Sequence, residues 1–311
     1  MKTSYRKAPR GIMGFPVSPM DSQGNLDLEG LGKNIEFLVE AGLSSVFVAC
    51  GAGELHAVSN DEYRAIVKIA VEKTKGKIPL YTGVGGNIKH ALEQAKISEE
   101  LGADGYLIFP PYLIDPSQDG LYDYLSTIIN STELNAIVYN RGNCILEPET
   151  LQKLCEYPQL VGFKDGIGNM ELNAELTHLI GDRLEWINGM PLAEVTMAAY
   201  INIGFKSYSS AISNYIPHIS SKYYDALLNG DYEVAHEIYE NVILPIHRIR
   251  KKKKGYAVSL IKAGMQIVGL PVSTNVRPPI TPVEEEHYKE LEVIIKKALE
   301  KYPNDIKIHN K

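Results

Sequence analysis

Short apolar, β-branched or aromatic runs recur along the chain at 12–17, 46–50, 80–84, 106–109, 136–140, 161–164, 184–188 and 206–209. None alternates polar with apolar positions and each is too short for a helix, the pattern of parallel strands buried on both faces. Between them the apolar positions fall at helical spacing. Over 27–41, Leu28, Leu31, Ile35, Leu38 and Val39 form one stripe, and Gly42 follows as a C-terminal cap. Ser59 with Glu62 is a capping box opening a helix over 61–75 that Gly76 closes, and 87–101 repeats the pattern up to Gly102.

Strand and helix alternate as far as residue 230, which predicts right-handed crossovers and a parallel sheet. An open doubly wound sheet would carry a glycine-rich phosphate turn after its first strand, where Phe15-Pro16-Val17-Ser18-Pro19 stands instead. Eight repeats therefore predict an α/β protein of the (β/α)₈ TIM-barrel class. Beyond Gly230 only helical segments are evident, near 232–244, 256–268 and 284–302. The expected division is a catalytic barrel over 1–228 and a C-terminal helical extension over 229–311, the latter for packing and assembly.

Composition adds boundaries. The 311 residues exceed the roughly 250 of a minimal barrel, and the extension accounts for the surplus. No apolar run approaches the roughly 20 residues of a membrane span. The basic start (Lys2, Arg6, Lys7, Arg10) precedes an apolar segment too short for a signal peptide. Cys50, Cys144 and Cys155 are an odd number without a C-x-x-C pair, against a disulfide framework or thiolate metal site. A cytoplasmic chain is expected, with no membrane partner. A net charge of −6 gives no support for nucleic acid binding. The local basic run of His247, Arg248, Arg250 and 251–254 reads as a solvated helix face or bend.

Active sites of such barrels lie at the C-terminal strand ends. Lys164 ends an apolar run there, where lost hydration lowers an amine's pKa and frees it to attack a ketone; a salt bridge to Asp165 or another carboxylate is the equally weighted alternative. Tyr139 ends the fifth strand and can move a proton, or simply pack. Gly51-Ala52-Gly53-Glu54 allows backbone N–H groups to approach a carboxylate, and 83–86 is a second glycine turn without distinct meaning. Arg141 can grip a carboxylate bidentately or pair internally. Ser209, Ser210 and Asn214 can bind substrate oxygens or serve as turn residues, and His56 reads as structural.

In combination these motifs are specific. The glycine turn with Glu54, then Tyr139-Asn140-Arg141, then Gly162-Phe163-Lys164-Asp165-Gly166-Ile167-Gly168, Tyr208-Ser209-Ser210-Ala211 and Gly255-Tyr256-Ala257-Val258-Ser259 resemble the Schiff-base aldolase and lyase superfamily that contains dihydrodipicolinate synthase and N-acetylneuraminate lyase. Within it they look like a branch of decarboxylating dehydratases acting on keto sugar diacids, over about 11–281. The resemblance implies Lys164 as the Schiff-base lysine and Tyr139 as the proton-shuttling phenol. It implies the 51–54 turn as holder of the carboxylate beside the ketone, with Gly189 and Ser209 in the same pocket. Tyr112 matches the tyrosine that in relatives reaches a neighbouring subunit, and a homotetramer of dimers is implied. No metal or organic cofactor is expected.

Two positions depart from that pattern. Ala52 stands where relatives usually carry threonine, and Cys144 stands where the synthases place their substrate-binding arginine. The second departure, with Arg141 present, favours the dehydratase branch. The remaining alternatives are an aldolase or synthase joining pyruvate to an aldehyde, and a non-catalytic barrel that binds a sugar acid.

Overall fold

A computed structural model describes residues 6–303; Lys2 of the basic start and the end of the expected extension, 304–311, lie outside them. Eight strands form the barrel: β1 (Ile12–Gly14), β2 (Ser45–Val48), β3 (Leu80–Gly86), β4 (Gly105–Pro111), β5 (Asn135–Asn140), β6 (Leu160–Asp165), β7 (Glu185–Asn188) and β8 (Ser207–Ser210). Every neighbouring pair is parallel, and β8 pairs with β1 to close the ring. The apolar first run extends to residue 17, but β1 stops at Gly14, because Pro16 has no N–H to give to a ladder.

The crossovers are α1 (Leu28–Glu40), α2 (Asn60–Thr74), α3 (Ile88–Leu101), α4 (Gln118–Ile129), α5 (Pro148–Leu154), α6 (Met170–Ile180) and α7 (Met197–Asn202), with α8 (Pro217–Asn229) after β8. Their ends follow the sequence signals. Asp27 caps α1 by accepting from Gly30 N, and both halves of the Ser59/Glu62 capping box form. α2 ends one residue early, with Lys75 itself taking the left-handed cap conformation ahead of Gly76.

Apolar side chains divide into two layers. One fills the space between strands and helices. The other fills the barrel interior with Met13, Phe15, Phe47, Tyr81, Leu107, Ile137 and Ile187, where the Phe15, Phe47 and Tyr81 rings stack at 4.7 and 4.8 Å.

After Gly230 come α9 (Tyr232–Ile238), α10 (Leu244–Lys252), α11 (Tyr256–Ile267) and α12 (Glu285–Lys301). A single π turn, Tyr239–Ile243, joins α9 to α10, so the helix expected to end at 244 passes Pro245 and runs on to Lys252. Lys253 pairs with Glu284 at 2.8 Å and Lys252 with Glu290, fastening the basic run to the start of α12. No helix of the described residues is long and apolar enough to cross a membrane.

Candidate active site

β5 and β6 pair with Tyr139 opposite Lys164 and Asn140 opposite Asp165. Strand residues alternate faces, so Tyr139 and Lys164 enter the barrel while Asn140 and Asp165 turn outward. This parity removes the Lys164–Asp165 salt bridge. The Asp165 carboxylate instead accepts from Asn140 Nδ2 (3.1 Å), Asn173 Nδ2 (2.9 Å), the Tyr200 hydroxyl and the backbone N–H groups of Ile167 and Gly168.

Lys164 is 5% exposed and has no carboxylate partner among the described residues. Its Nζ lies 4.0 Å from the Phe15 ring centroid and 4.6 Å from that of Tyr139. Burial lowers its pKa to about 7, with the Arg141 charge acting in the same direction. About half of the amine is therefore unprotonated near neutral pH, supplying the free base that a nucleophile requires. Its stem needs Gly189, because a Cβ there would lie 2.5 Å from Lys164 Cγ. The Tyr139 hydroxyl donates to Gly189 O (3.0 Å) and accepts from Arg141 Nη1 (3.1 Å), while burial raises its pKa.

These groups open into one cavity of about 610 Å³, within the usual range for small-molecule sites. Gly51, Ala52, Tyr139, Arg141, Lys164, Gly189, Ser209 and Ser210 all line it. The Ser210 hydroxyl is nonetheless committed to the buried Glu194, leaving Ser209 as the freer one.

Three expected substrate contacts are corrected. Glu54 does not line the cavity: it is fully buried, with Oε1 accepting from Lys262 Nζ at 2.6 Å and Oε2 from Arg277 N at 3.0 Å. Gly53 is also buried off the cavity, its carbonyl accepting from the Ser18 hydroxyl. Asn214 is likewise buried, with Nδ2 donating to Phe15 O at 3.1 Å, which holds the ring beneath Lys164. Tyr112, expected to reach a neighbouring subunit, is 74% exposed beside the equally open Leu113 and Ile114, and in its own chain lines a separate hollow with His56.

The C-terminal helices do more than pack. Ile246, Arg250, Lys251, Lys253, Lys254 and Tyr256 line the cavity wall, a contribution that sequence reasoning missed. The available signals were the basic run and the adjoining Gly255-Tyr256-Ala257-Val258-Ser259 motif.

A (β/α)₈ barrel with a desolvated, unpaired lysine at the end of its sixth strand defines the class. The profile of the Dihydrodipicolinate synthetase family matches residues 8–298, and the chain belongs to that family. It is 60% identical over 302 residues to a protein of Oceanobacillus iheyensis named probable 5-dehydro-4-deoxyglucarate dehydratase, covering 97% of this chain and 98% of that one. A Bacillus subtilis protein of the same name is 59% identical, covering 96% and 97%. The solved dihydrodipicolinate synthase of Oceanobacillus iheyensis shares the fold, with a TM-score of 0.86 at 24% identity over 93% of this chain and 96% of that one.

Proposed function

We propose that this chain converts 5-dehydro-4-deoxyglucarate to 2,5-dioxopentanoate, carbon dioxide and water through an imine on Lys164. The observation that carries the chemistry is the buried amine without a carboxylate partner, facing a phenol across a strand pair. The substrate is the one in the names of the relatives.

Lys164 Nζ attacks the carbon 5 ketone and, with loss of water, forms an iminium. This electron sink acidifies the carbon 4 protons, and removal of one expels the carbon 3 hydroxyl as water. The iminium is then conjugated through carbons 4 and 3. Loss of the carbon 1 carboxylate as carbon dioxide sends its bonding pair through carbons 2 and 3 into that sink. The enol left at carbon 2 tautomerises to the aldehyde, a proton added at carbon 4 turns the enamine back into the iminium, and a water molecule hydrolyses it and restores the lysine. Tyr139 moves the protons at the imine. The backbone at Gly51 and Ala52 receives the carboxylate beside the ketone, Ser209 takes a substrate hydroxyl, and Arg141 grips one of the two carboxylates. The exposed apolar patch at 112–114 supports the expected homotetramer.

Incubating the protein with the keto sugar diacid and following carbon dioxide and the dioxo acid tests the reaction. Lys164→Ala is expected to lose turnover and the borohydride-trapped adduct together. A labelled adduct persisting in that variant would overturn the assignment.

A further inference from the structure

The cavity wall holds six cationic side chains, Arg141, Lys164, Arg250, Lys251, Lys253 and Lys254, and no Asp or Glu. Lys251 and Lys254 are exposed, and three of the others are accounted for in different ways. Lys164 is the unpaired amine over two rings, Arg141 donates to the Tyr139 hydroxyl, and Lys253 pairs with Glu284. Arg250 has nothing comparable. It is half-buried on α10, its Nε is buried without a hydrogen-bond partner, and none of the ion pairs among the described residues includes it. Burial and the neighbouring Arg141 charge both lower its pKa, as expected of a cation facing another cation with no anion between them. A planar guanidinium that lines a cavity without a carboxylate partner is suited to take one in fork geometry.

We infer that Arg250, delivered by the C-terminal extension, is the recognition group for the carboxylate remote from the imine, and that it makes the site selective for 2-keto diacids over 2-keto monoacids. Lys164 ends a barrel strand, whereas Arg250 stands on a helix appended outside the barrel, so the two ends of a linear diacid meet separate parts of the chain. Arg141, tied to the Tyr139 hydroxyl beside the imine, is left the nearer carboxylate. The inference rests on the proposed imine at Lys164, and it deepens that reading by naming what selects the substrate class.

Borohydride trapping of the full-length protein with 2-oxoadipate and with 2-oxohexanoate, the same chain without the distal carboxylate, tests it. Wild type is expected to reach half-maximal trapping at an about tenfold lower concentration of the diacid. In Arg250→Gln the two acids converge, and Arg250→Lys recovers part of the preference because charge remains while the fork is lost. The wild-type preference persists in about 0.5 M salt, where exposed rim charges are screened. A preference that survives in Arg250→Gln, or one that salt abolishes in wild type, overturns the assignment to Arg250. A preference lost in Arg250→Gln, while the wild type itself fails to turn over the keto sugar diacid, supports Arg250 and overturns the assigned reaction.

Discussion

Two lysines are buried among the described residues, and they do opposite work. Lys164 ends a barrel strand with only aromatic rings about its amine, whereas Lys262, on α11, is fully buried against Glu54 at 2.6 Å and the Asn275 carbonyl at 2.7 Å. Desolvation lowers the pKa of both, but the Glu54 carboxylate opposes that shift at Lys262 and nothing comparable does so at Lys164. Burial alone does not make a lysine reactive. What separates a nucleophile from a structural pin is whether a carboxylate is supplied with it. The pin also serves the site, because Glu54 closes the turn whose other end, Gly51 and Ala52, lines the cavity.

The comparison can be broken most severely at the pin. Glu54→Ala leaves Lys262 as a buried charge without its partner and is expected to cost about 3–5 kcal/mol of stability, read from denaturant unfolding. Replacing both residues by apolar ones of similar size recovers most of that loss; a double variant as unstable as the single one would contradict the pin. The second test concerns charge state. A base with a pKa lowered to about 7 is unprotonated above that value, so the initial rate of adduct formation at Lys164 levels off above pH 7. Below it the rate falls about tenfold per unit as the amine takes a proton. Trapping rates that kept rising toward the ordinary lysine range near 10 would show that Lys164 is not desolvated in solution. The smallest effect is expected at Ala52, which lines the cavity without a hydroxyl. Ala52→Thr adds one hydrogen bond to the bound carboxylate and lowers KM about two- to tenfold, with stability unchanged in a thermal melt.

The barrel was legible because each strand is a short apolar run and each early helix carries its own cap, signals local to a few residues. Lys164 and Tyr139 were legible for a related reason: strand parity fixes which face each side chain takes once the strands are placed. Glu54 misled because its partner lies 208 residues away, and a carboxylate in a glycine turn looks the same whether it faces a cavity or a buried lysine. Asn214 misled in the same way, its partner Phe15 lying 199 residues back. Arg250 was hidden behind Pro245, which reads as a helix stop unless the backbone changes its hydrogen-bonding step just before it.

That change of step carries its own consequence. A π turn accommodates one residue more than the α-helix it interrupts, and one residue corresponds to about 100° of rotation. Every side chain of α10 is therefore turned by that angle relative to an uninterrupted helix continuing from α9. Deleting a single residue within Tyr239–Ile243 would leave Arg250 in the chain and the helix intact, yet swing the guanidinium away from the cavity. Part of the selectivity of this barrel is thus stored as the phase of a helix, a quantity that residue-by-residue substitution never varies.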